Sequence, residues 1–183
     1  MPADPSTTAR RCGECTACCV VLAIDVPELR KQPGIACTHC TGAGCGIYET
    51  RPPVCRGYLC GWFVLTDLGE EWRPDRSGIL LSPCNVGIPA HYRLREGIEL
   101  LVLGGEAAVR RPAFVDLAIK LLRSQTPAFL AVPGPPGHFP ARTFLNDVLG
   151  RAAPHQLGDV FAGILKAAKG HRFEPMPPVQ TGV

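Results

Sequence analysis

Nine of the ten cysteines of this 183-residue chain lie between Cys12 and Cys60, and their spacing is the feature that could do chemistry. They fall into three groups: Cys12-x2-Cys15-x2-Cys18-Cys19, Cys37-x2-Cys40-x4-Cys45, and Cys55-x4-Cys60. A C-x2-C step lets one tight turn present two thiolates to the same ion, so repeated steps point to metal or cluster ligation. Thiolates are soft ligands that select zinc, copper(I) or iron–sulfur clusters. Four thiolates complete a closed Zn2+ site or hold a 4Fe–4S cluster, so nine exceed the needs of one site. Two four-thiolate sites fit the count, and so does one site with a separate reactive pair. Cys18 and Cys19 are adjacent and project in different directions, so as ligands they would reach different metals or different irons. The tight run of Cys12, Cys15 and Cys18 favours a cluster, because three thiolates in one loop can cap three irons.

Around this field the candidates thin out. His39, between Cys37 and Cys40, could replace a thiolate or lie on the surface of the turn. Cys84, in LLSPCN, reads as a buried small hydrophobe outside the ligand set. Arg51 and Arg56 could offset the negative charge of the thiolates, or either could simply form a salt bridge, for instance with Glu49. Tyr58, Trp62 and Phe63 would wall the site off from water. No catalytic triad, phosphate-binding loop or dinucleotide fingerprint competes with the cysteines.

Composition bounds the reading. The chain is 46% hydrophobic and 19% charged, ordinary values for a globular protein with a real core. A net charge of +3 is too weak to argue for nucleic acid or acidic lipid, and Glu14, Asp25, Glu28 and Glu49 dilute the basic residues near the cysteines. Nucleic acid is therefore not an expected partner. No stretch approaches the roughly 20 apolar residues of a bilayer span, and the N-terminus lacks the apolar core of a secretory signal. The expectation is a cytoplasmic protein with no membrane partner, where thiols stay reduced and metal ligation outranks a disulfide framework.

The elements that must position the cysteines read as follows. Residues 1–11 form a polar tail, 12–63 the cysteine-cluster metal-binding region, 64–170 an α+β scaffold forming one compact domain with it, and 171–183 a second tail. The run Val20–Val26 predicts a strand directly after Cys18-Cys19, and PELRKQPG a helical or turn segment ended by Gly34. Glycines at 42, 44 and 46 suit backbone wrapping round an ion. Pro52-Pro53 would start a helix running through Cys55 and Cys60 into Trp62-Phe63. Strands are expected at 78–82, 92–95, 99–104 and 128–133, an amphipathic helix from Pro112, a rigid loop at 133–140, and helices near 141–150 and 156–169. The expected fold is α+β: a small loop-rich cysteine-cluster lobe packed on a small sheet with helices.

Cys12-x2-Cys15-x2-Cys18-Cys19, followed by Cys45-Gly-Ile-Tyr-Glu-Thr-Arg-Pro-Pro-Val-Cys55-Arg-Gly-Tyr-Leu-Cys60, resembles the CxxCxxCC family of zinc- or iron-chelating domains, the YkgJ-type cysteine-cluster proteins. The resemblance covers residues 12–63, roughly a third of the chain. It implies chelation by Cys12, Cys15, Cys18, Cys19, Cys45, Cys55 and Cys60, while Cys37 and Cys40 join the ligand set on spacing alone. The functional expectation is a protein that binds an iron–sulfur cluster or Zn2+ and serves as a redox or electron-transfer accessory with a protein redox partner. The alternatives are a structural zinc module mediating protein–protein interaction, and an oxidoreductase-like enzyme whose substrate lies against the second half.

Overall fold

The computed structural model describes residues 10–150 and 152–177, and the fold is α+β. In chain order the cysteine lobe contains helix α1 (Ala17–Val21), strands β1 (Ile24–Val26) and β2 (Leu29–Lys31), helix α2 (Pro53–Gly57) and helix α3 (Gly61–Val64). The scaffold follows with α4 (Pro74–Ser77), β3 (Ile79–Cys84), β4 (Gly97–Val102), α5 (Gly105–Val109), α6 (Pro112–Arg123), β5 (Ala128–Val132), β6 (Ala141–Phe144), α7 (Leu145–Leu149) and α8 (Leu157–Ala168).

The scaffold is a four-stranded sheet in the order β3-β4-β5-β6, with β4 and β5 parallel and the outer pairs antiparallel. The parallel pair needs a crossover, and α5 and α6 supply it. Strand alternation gives the sheet two different faces. Ile79, Leu81, Leu100, Val102, Ala128 and Leu130 point to one side and join the main core with Phe114, Ala118 and Leu121 of α6 and Leu157, Phe161 and Leu165 of α8. Those helical residues recur at i and i+4 or i+3, so each helix buries one stripe, and Phe114 and Phe161 meet edge to face at 5.0 Å. The opposite face presents Leu80, Leu101 and Ala131, which form a second cluster with Ala17, Val21, Leu22 and Cys60. The cysteine lobe is seated there.

Several sequence expectations are revised. Val20–Val26 is not one strand: α1 takes residues up to Val21, and only Ile24–Val26 pairs as a strand. PELRKQPG holds turns at Pro27-Glu28 and Pro33-Gly34 and no helix, and between the turns Leu29–Lys31 pairs back on β1 as a hairpin. Its alternating burial, with Leu29 and Lys31 inside and Arg30 out, is the period-two signature that a single lysine disguised. The helix begun at Pro53 stops at Gly57, Tyr58 turns extended, and a separate α3 starts after Cys60. Residues 92–95 form no strand, and 141–144 extend the sheet before α7 begins. The expected strands at 78–82, 99–104 and 128–133 and the helices from Pro112 and near 156–169 are present with shifted ends. At the C-terminus the described tail is fastened, with Phe139 N–H donating to Glu174 at 2.8 Å, Met176 N–H to Gly137 at 2.8 Å, and Met176 buried. Arg10, assigned to the N-terminal tail, donates to the carbonyls of Trp62, Leu65, Thr66 and Leu68 and lies over the Trp62 ring. The remaining tail positions, 1–9 and 178–183, lie outside the described residues. Among the described residues no helix is long and apolar enough to cross a membrane.

Gly61 shows how tightly α3 is seated on the sheet. A Cβ there would stand 2.4 Å from the Leu81 Cβ, whereas a Cβ at Gly57 in α2 would meet nothing within 4 Å. Gly61→Ala should therefore cost about 1–3 kcal/mol through overpacking against a strand that cannot retreat. Gly57→Ala should be neutral or stabilising by up to about 1 kcal/mol. Urea unfolding of both variants checks the contrast, and equal midpoints would show that α3 is not clamped to β3.

Candidate functional site: a cysteine-lined cavity

Two of the three C-x2-C steps close a turn, with Cys15 N–H donating to the Cys12 carbonyl at 3.0 Å and Cys40 N–H to the Cys37 carbonyl at 2.9 Å, while the third leads from Cys15 into α1. α1 carries Cys18 and Cys19 on successive positions, and Cys37 N–H donates to the Cys19 carbonyl at 2.9 Å, stitching the second group onto the first. Cys40 and Cys45 face each other in an isolated antiparallel bridge across the glycine-rich loop. Pro53 opens α2, which bears Cys55, and Cys60 is the residue immediately before α3. Proline suits that first helical position because its missing N–H is one of the unsatisfied donors anyway.

These segments enclose a cavity of about 170 Å³ whose wall includes Cys12, Cys15, Cys18, Cys19, Cys37, Cys45, Cys55 and Cys60. That is several times the roughly 30 Å³ share of a water molecule. The rest of the wall is mostly apolar: Leu22, Ile24, Leu29, Ile47, Val54, Leu59 and Leu80, with Tyr58, Trp62 and Phe63 along one side. Cys40 lies outside the wall, and its thiol helps to draw the pKa of Cys19 down. The structure thus gathers eight of the nine sequence candidates round one space and sets the ninth beside it. Among the described residues no three His, Cys, Asp or Glu side chains stand together as a ready metal-ligating group. The thiols line a shared wall without converging on one point. In kind and number the donor set fits a thiolate-bound metal or cluster.

The thiols are electrostatically unequal. Cys18 donates its proton to Cys19, so the pair splits: that hydrogen bond and burial push Cys18 up, while Cys19 is drawn down to about 6, helped by Lys31 and Arg51. Burial pushes Cys60 up, opposed by the N–H groups of Phe63 and Trp62. Burial also raises Cys15, opposed by the N–H groups of Ala17 and Asp75, and raises Cys55, with Cys37, Cys19 and Cys45 adding to it. Desolvation disfavours each lone thiolate here, and neighbouring thiolates add repulsion.

Three cations answer that repulsion. Arg51 lies 3.7 Å over the Tyr48 ring and donates through Nε to the Tyr48 carbonyl at 2.8 Å. It belongs to the cavity wall, and among the described residues no ion pair joins it to Glu49. Arg56 is exposed on α2. Arg73, which the sequence did not single out, also lines the cavity and grips Asp75 through two 2.7 Å bonds, next to Cys15. Lys31 was likewise missed; it is buried on β2 and interacts with the thiols of Cys37, Cys19, Cys18 and Cys40. Its only sequence signal is its place at the inward phase of a three-residue strand. His39 is exposed at the rim, its N–H donating to the Cys37 sulfur at 3.5 Å.

Cys84 is apart from the cavity and is half-buried, where the sequence suggested full burial. Its sulfur accepts from Arg142 Nη2 at 2.6 Å, and Arg142 pairs with Glu99 at 2.6 Å.

The split between Cys18 and Cys19 is open to a direct check. In the metal-free chain near neutral pH, iodoacetamide should alkylate Cys19 at least several-fold faster than Cys18, Cys15 or Cys60, because only its thiolate is well populated. Peptide mass spectrometry reads the order, and alkylation of Cys18 ahead of Cys19 would reverse the assignment of the shared proton.

No family model, no curated protein and no solved structure matches this chain.

Proposed function

We propose that this chain is a cysteine-cluster metalloprotein of the cytoplasm, related to the CxxCxxCC chelating domains, that works as a redox or electron-transfer accessory to a protein partner. The observation that carries this reading is the cavity: eight cysteines from separate segments open onto one largely apolar space. Cys12, Cys15, Cys18, Cys19, Cys37, Cys45, Cys55 and Cys60 would hold the iron–sulfur cluster or Zn2+, with Cys40 within reach through Cys19. A bound cluster would supply one-electron transfer at a potential set by charge, hydrogen bonds to sulfur and solvent access. The chain's own contribution falls on those same levers. Tyr58, Trp62 and Phe63 exclude water on one side, and N–H groups of Trp62, Phe63 and His39 point at the Cys60 and Cys37 sulfurs.

A structural zinc module docking a protein partner is the second reading. It is favoured by the shortness of the lobe's elements, none longer than the five residues of α1 and α2. Such segments gain from a cross-linking metal, worth about 10–16 kcal/mol of apparent binding energy in zinc-finger peptides. Purification without oxygen, followed by analysis of iron, zinc and acid-labile sulfide per chain and a visible spectrum, separates the two. The redox reading expects iron with sulfide and a brown charge-transfer band, and Cys84→Ser should leave the metal content unchanged. Colourless protein with stoichiometric zinc and no sulfide, from iron-replete cells, would end the electron-transfer reading.

A further inference from the structure

Lys31 is 6% exposed, and among the described residues it is the only charged side chain so deeply buried. Its ammonium donates to the carbonyls of Val20 at 3.1 Å, Gln32 at 3.2 Å and Leu22. Val20 and Leu22 mark the end of α1, the helix bearing Cys18 and Cys19, so the ammonium caps the negative end of that helix. Cys37, whose N–H donates to the Cys19 carbonyl, brings the second cysteine group to the same junction. The ion pairs of the described residues all lie elsewhere. Three neutral carbonyls solvate a buried ammonium, but they do not balance its charge, and an unbalanced buried charge is expensive.

We propose that Lys31 is the fixed counter-charge of the cysteine centre. Its ammonium balances one negative charge among Cys18, Cys19 and Cys37, which meet at this junction, and favours a metal occupant that leaves this side anionic. Four thiolates on Zn2+, or on a cluster of the same net charge, leave a double negative charge and meet that condition. The role rests on the metal-centre reading above and assigns it a positioning residue whose effect is electrostatic. Lys31 itself is not a ligand.

The test uses the full metal-free chain, Co2+ as the probe, and thiolate-to-cobalt absorption as the readout, with circular dichroism to establish folding. Lys31→Met removes both charge and donors, Lys31→Gln keeps a donor without charge, and Lys31→Arg keeps charge and donors. Expected is a loss of about tenfold or more in Co2+ affinity for Lys31→Met and Lys31→Gln, the scale of outer-shell partners, with Lys31→Arg recovering most of it. Wild-type affinity in a folded Lys31→Gln chain would overturn the proposal, as would an Arg variant that folds yet binds as weakly as Gln. Should Lys31→Met fail to fold, the Gln and Arg variants decide. Failure of all three to fold would assign Lys31 to shape alone and overturn the proposal too. If the unaltered chain takes up no Co2+, Zn2+ or iron, the metal-centre reading itself falls, and the proposal with it.

Discussion

The cysteine lobe rests on a strip of three small-to-medium apolar side chains, Leu80, Leu101 and Ala131, on one face of the sheet. The lobe's own regular elements are too short to bury a core, so its apolar residues must find partners elsewhere. Ala17, Val21, Leu22 and Cys60 do so on that strip, while Trp62 reaches round into the main core. Two cationic side chains tie the lobe to itself through backbone carbonyls: Arg10 across the α3 turn, and Lys31 across the end of α1. This seating holds α1 and Cys60 against the sheet.

The cavity follows from the same arrangement. A lobe made of turns and short helices cannot close tightly over itself, and the space it leaves is lined by the cysteines it carries. The apolar wall makes each isolated thiolate costly, which is why burial is a raising influence at Cys15, Cys18, Cys55 and Cys60. Lys31, Arg51 and Arg73 set positive charge against that cost. Cys84 has its own arginine and its own surroundings, and plays no part in this balance.

The cysteine field was legible because its signal is local: the Cys12–Cys15 and Cys37–Cys40 steps are turns, each closed by its own hydrogen bond. The scaffold was legible for a related reason, since β3, β5, α6 and α8 have strong, uninterrupted hydrophobic patterns. What failed lay where a tertiary partner overrides the local pattern. Val20 and Val21 read as strand by β-branching, yet they close α1, whose end is capped from the hairpin by Lys31. The continuation of α2 through Cys60 looked reasonable until Gly61 was drawn against Leu81, which sets a new helix direction. Arg10 and Arg73 gave no sequence signal because the groups they face, the α3 turn and Cys15, stand far from them along the chain. An arginine in a polar tail looks like any other.

X-ray absorption at the metal edge of the loaded chain tests the thiolate ligation most directly. A first shell made of sulfur at about 2.3 Å is expected if the centre is zinc held by these cysteines, with a second metal shell added if it is a cluster. A first shell dominated by nitrogen or oxygen would contradict the assignment of the cavity thiols as the ligands.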